Sequence, residues 1–158
     1  MKCKICWSIT ALLIFALVGG VYKFMVQGSV TTSTDGRNAL MLEPVERDLV
    51  LAEMRGFLTS VQQIAQGISV QDMKLVSEAA HRVGTAAAQE VPASLMGKLP
   101  LEFKKLGFDT HNKFDELALD AEQIGDPAHS LQQLSALMNN CLACHQAYRI
   151  DPIPAPGN

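Results

Sequence analysis

Near the end of the chain, Leu131, Leu134, Met138, Cys141, His145 and Tyr148 recur at intervals of 3, 4, 3, 4 and 3 residues. That rhythm puts six side chains on one stripe of an α-helix and fits no strand, whose faces repeat every second residue. The same steps carry Leu51, Met54, Leu58, Val61, Ala65 and Ile68. Two more stripes follow, Met73-Val76-Ala80-Val83-Ala87 and Phe103-Leu106-Thr110-Phe114-Leu117-Ala121-Ile124. A helix with a single apolar stripe gains most of its stability by covering that stripe with a neighbour. Four of them in succession predict an all-α domain, an antiparallel up-down-up-down four-helix bundle over residues 44–150.

The punctuation agrees. Pro44 suits a first helical turn, with Glu46 and Asp48 behind it at the positive helix end, and Gly67 marks a stop. Ser69 with Asp72 opens a second helix that Val91-Pro92 closes. Pro92 and Pro100 bracket a connection, Leu101 to Ile124 forms the third helix, and Gly125 ends it. Asp126-Pro127 then supplies an N-cap and a first residue for the fourth.

Chemistry gathers on that fourth helix as Cys141-Leu142-Ala143-Cys144-His145. Residues three and four apart share a helix face, so two thiols and an imidazole point roughly one way. A zinc site would need further ligands, and His81, His111 and His129 are scattered. A redox dithiol belongs at a helix start beside a βαβ unit, whereas this CxxC stands near a helix end. The remaining reading is a c-type haem, bonded through Cys141 and Cys144 and ligated by His145.

The front of the chain bears on where such a cofactor would be attached. Lys2 and Lys4 precede an uncharged apolar run, Ile5 to Tyr22, with Trp7 and Tyr22 near its ends. Residues 1–26 are expected to be a membrane anchor that leaves the rest of the chain on the periplasmic side of a bacterial inner membrane. The alternative is a signal peptide cleaved near Val18-Gly19-Gly20, which would leave a soluble periplasmic protein. Cys3 and Cys6 precede the apolar run and are read as incidental. Residues 27–43 look like a tether, and residues 151–158 like a loose Pro-rich tail. From residue 44 onward there are nine basic and fourteen acidic residues, a balance that argues against a nucleic-acid partner.

With these residues on the page, the chain resembles a known family. The segment Cys141-Leu142-Ala143-Cys144-His145-Gln146-Ala147-Tyr148-Arg149 is similar to the last helix of class II c-type cytochromes, the cytochrome c′ group. The stretches Glu53 to Gly67 and Gly107-Phe108-Asp109 extend the similarity, also towards the four-helix b-type cytochrome of bacterial periplasm. The resemblance implies a four-helix bundle holding one haem c, no enzymatic activity, electron exchange with redox partner proteins, and possible homodimerisation.

The second axial position then sets the function. In the b-type bundle a first-helix methionine ligates the iron, and the matching residue here is Met54. Met54 and His145 as ligands would make a low-spin electron carrier, and methionine ligation favours ferrous iron. Met41 and His111 are other candidate ligands. An open position would instead give a five-coordinate c′-type protein that binds NO or CO. One turn before Met54, where the c′ group often carries Arg, stands Val50. The resemblance also implies that Arg149 pairs with a haem propionate. Tyr148 is expected to pack on the ring, and Phe103, Leu106 and Phe108 to wall the pocket.

Overall fold

The computed structural model describes residues 4–89 and 91–153. The first helix, α1, spans Lys4–Val21 and continues through one wider π-helical turn, Tyr22–Gln27. It is long and apolar enough to cross a membrane, and none of it is buried against the rest of the protein. Cys3 and residues 154–158 of the expected tail lie outside the described residues.

The expected tether is structured. Strands β1 (Val30–Thr32) and β2 (Asn38–Leu42) form an antiparallel hairpin, with Thr32 opposite Asn38. A third strand, β3 (Tyr148–Pro152), runs parallel to β2, with Asn38 opposite Tyr148 and Leu42 opposite Pro152. The chain is therefore mostly helical with a small sheet, rather than all-α. The reason is burial: Ala39, Leu40 and Leu42 of β2 are almost wholly removed from solvent. They form a second apolar cluster with Val50, Leu95 and Leu99, against which Ile150 and Tyr148 pack. Gly28 makes the entry possible. Its φ is +67°, and a Cβ there would stand 2.4 Å from the Lys98 carbonyl oxygen.

Helix α2 covers Pro44–Ser69 and opens with a reciprocal cap between Glu43 and Glu46, with Pro44 in its first turn. Helix α3 spans only Met73–His81. Its cap is Asp72, whose carboxylate accepts from the Leu75 amide. The second expected helix thus breaks at Arg82-Val83-Gly84, and a single turn, α4 (Thr85–Ala88), follows. Asp115 holds the break by accepting from both the amide and the hydroxyl of Thr85. A side chain on Gly84 would collide with that carboxylate. A short helix α5 (Ala93–Lys98) fills the expected connection between the two prolines. Helix α6 runs Leu101–Gln123, and α7 runs Pro127–Ala147 behind its Asp126 cap.

One core cluster joins α2, α3, α6 and α7: Phe57 and Ile64, Val76, Ala79 and Ala80, Phe114, Leu117, Ala118 and Ala121, Leu134 and Leu137. Phe57 and Phe114 stack with ring centroids 5.5 Å apart. Polar links show α6 and α7 running in opposite directions, since Asp120 meets His129 and Gln133 while Asp109 meets Asn140. The stripes of α3 and α6 fall where expected, with Val76, Ala80, Thr110, Phe114, Leu117 and Ala121 buried, whereas those of α2 and α7 are rotated by about one residue. In α2 the buried residues include Val50, Phe57, Ser60 and Ile64, and Leu58 is exposed. In α7 they are Ser130, Leu134 and Leu137, with Leu131 and Met138 exposed. The small Ser60, Ser130 and Gly67 are what let the helices approach along these lines. Val76 and the Asp72 carbonyl lie where a Gly67 side chain would go.

Candidate functional site

The last two turns of α7 carry the two thiols. Cys141 and Cys144 are half-buried and not bridged to each other, and Cys141 packs against the helical core. Burial raises the Cys141 thiol pKa, and burial together with the neighbouring Cys141 pushes Cys144 up to about 11. Both thiols therefore keep their protons at neutral pH. Disulfide exchange calls for a stabilised thiolate, which this surrounding does not provide. Among the described residues, no three His, Cys, Asp or Glu side chains are grouped to hold a metal ion.

His145 follows on the exposed side of the same turn rather than on the core stripe. Its imidazole has no hydrogen-bond or ion-pair partner among the described residues. The other three histidines do: His81 faces Asp115, His129 faces Asp120, and His111 faces Glu53. His145 is thus the histidine whose ring nitrogens remain available as donors to an iron.

The helix ends directly after this turn, at Ala147, and Tyr148 has extended backbone. Tyr148 and Arg149 therefore belong to β3 and not to the helix. Two features missed by the tether reading close α7. The Arg37 guanidinium donates to the carbonyls of His145 and Tyr148, at 3.2 and 3.3 Å, satisfying acceptors that a helix C-terminus leaves open. Asp35 then pairs with Arg37 at 2.6 Å and with Arg149 at 3.4 Å. Hydrogen bonds from Arg37 and then Ser33 hold the Asp35 carboxyl well below the usual carboxylate range. Arg149 also donates to Asp151 at 2.9 Å, so the cation expected near a propionate is already engaged by two carboxylates. A basic residue seven positions before a helix that starts at Pro44 was the available signal for this cap, but only the strand pairing brings it across.

Tyr148 meets Phe103 edge to face, with centroids 5.3 Å apart. Its hydroxyl pKa is raised, first by burial and then by the nearby Cys144 and Glu102. The start of α6 therefore lies beside the end of α7. Met54 is half-buried on α2 and touches both apolar clusters, sharing the helical one with Cys141 and the strand-side one with Tyr148. The structure thus brings Cys141, Cys144, Met54, Tyr148 and Phe103 to one end of the helical core. It does not bring in Phe108, which is exposed and lines a separate cavity together with His111. Met41 lies on β2, half-buried.

The chain matches no known family, curated protein or solved structure.

Proposed function

We propose that the protein is a monohaem c-type cytochrome that carries electrons outside the cytoplasmic membrane. The observation that carries this reading is the pair of unbridged, half-buried thiols one turn apart on α7, followed at once by an unengaged imidazole. The donor set fits the group, with two thiols to form thioethers, a free ring nitrogen next to them, and a thioether sulfur on a neighbouring helix at the same end of the core. When bound, the haem supplies a one-electron iron couple, which His/Met ligation places towards higher potential.

In this reading Cys141 and Cys144 would hold the cofactor, and His145 and Met54 would supply ligands to its iron. Tyr148 and Phe103 present an aromatic wall and keep water from that end. Arg37, by closing the α7 C-terminus, fixes the turn that bears the donors. The four core helices α2, α3, α6 and α7 form an antiparallel up-down-up-down bundle, and α1 anchors it on the periplasmic side. The partners are redox proteins.

Expression in a host that matures c-type cytochromes tests this directly. A haem that resists acid–acetone extraction, and is lost from the polypeptide in Cys141→Ala/Cys144→Ala, is the expected result. The ferric protein should be low-spin with a methionine charge-transfer band, and Met54→Leu should convert it to high-spin. A colourless product overturns the reading. A wild-type high-spin spectrum would replace Met54 ligation with the open-site alternative that binds NO or CO.

A further inference from the structure

A cavity of about 260 Å³ opens between α2, the α4–α5 segment and α6, away from Cys141 and Cys144. Its wall is apolar, formed by side chains such as Leu49, Val83, Leu95, Phe103 and Phe108, with three charged or polar exceptions: Glu53, Lys104 and His111. Lys104 lends the wall its stem, since its ammonium is tied to the Met96 carbonyl at 3.2 Å. The other two form a built pair. His111 is 95% buried by its side-chain surface and is held on three sides. Its Nδ1 meets the Val83 carbonyl at 2.8 Å, its Nε2 meets Glu53 Oε1 at 3.3 Å, and its ring lies 5.0 Å from that of Phe57.

The geometry fixes the proton count. Nδ1 faces a carbonyl and must donate, and Nε2 faces a carboxylate oxygen, so it too must carry a proton unless Glu53 does. Glu53 is 30% exposed and makes no further hydrogen bond among the described residues, so one of its two oxygens remains open to an incoming donor. A slot with apolar walls and a single oriented acceptor selects a ligand that is mostly apolar and carries one hydrogen-bond donor. The volume suits one ring with a short substituent, since about 150 Å³ of apolar cavity already holds benzene.

We propose that this cavity binds a phenolic ring, which donates its hydroxyl to Glu53 while His111 holds the carboxylate in place. This site shares Phe103 with the aromatic wall of the haem reading but needs no residue of the Cys141–His145 turn. Gly56 lies on the cavity wall, where a Cβ would meet Val83 at an ordinary 3.9 Å, so a longer side chain there would extend into the slot.

The test uses the full-length protein with ¹⁵N-labelled histidine, whose four imidazoles give few signals to assign. Phenol, anisole and toluene are titrated in turn in the same detergent. Phenol should shift the His111 resonances saturably and bind at least about tenfold more tightly than anisole or toluene, as expected for a hydrogen bond to a charged acceptor. Glu53→Gln should reduce that preference to about threefold or less, and Gly56→Leu should abolish binding of all three. No saturable shift, equal affinity for phenol and toluene, or full binding by Gly56→Leu would each overturn the proposal. Repeating the titration with Cys141→Ala/Cys144→Ala separates the two readings: phenol binding should persist there whether or not a haem is ever attached.

Discussion

His111 shows how one side chain can connect stability to pH. Burial works against its charged form, but the Glu53 carboxylate and the Val83 and Gly84 backbone outweigh burial and raise its pKa. The other charged groups around it are Asp115 on its own helix, which stabilises the cation, Lys104 on the cavity wall and His81 beside Asp115. A pKa raised on folding gives stability that is fully present below the unfolded value of about 6.5 and is lost as pH rises through the folded value. Denaturant midpoints should therefore fall as pH rises above about 6.5. His111→Gln should flatten that fall, and an identical slope in the variant would remove His111 as its source. In the sequence His111 is a candidate iron ligand on the third helix. Its partners come from α2 and from the break after α3, and no local pattern could assemble them.

At the scale of elements, the helices were legible and the sheet was not. Pro44, Gly125 and Asp126-Pro127 marked helix ends within a residue or two, because caps and φ restrictions act locally. The break at Gly84 was hidden because Val83 and Ala87 continue the α3 rhythm, and Asp115, 31 residues away, is what stops the helix. The hairpin was hidden for the opposite reason. Residues 27–43 are rich in Ser, Thr and Gly, and their few apolar residues gain meaning only against α2, α5 and β3. The CxxCH turn was fully visible, while the exposed position of its histidine was not, since the apolar stripe runs one residue to the side. Leu40 measures how far the hairpin belongs to the fold. It is fully buried in β2, and Leu40→Ala should cost about 2–5 kcal/mol in chemical unfolding. A change under about 0.5 kcal/mol would return the segment to the status of a linker.

Across the whole molecule, α1 stands apart from the rest, because its apolar side chains have no cover within the protein. The full chain should sediment with membranes and resist high-salt washing. A chain lacking residues 1–26, exported behind a cleavable leader, should be recovered in the soluble periplasmic fraction with its core intact. Recovery of the full chain as soluble protein with residues 1–26 removed would support cleavage instead. Beyond the anchor, the parallel pairing of β2 with β3 ties the first residues after α1 to the residues just past the thiol turn. Gln27, which ends the apolar helix, and Tyr148, which follows α7, line the same surface depression. With α1 as an anchor, whatever group Cys141 and Cys144 carry would therefore be moored close to the bilayer rather than swung out on a tether. A partner embedded in the same membrane could reach it by sideways diffusion alone, whereas one approaching from the bulk would have to come right down to the lipid.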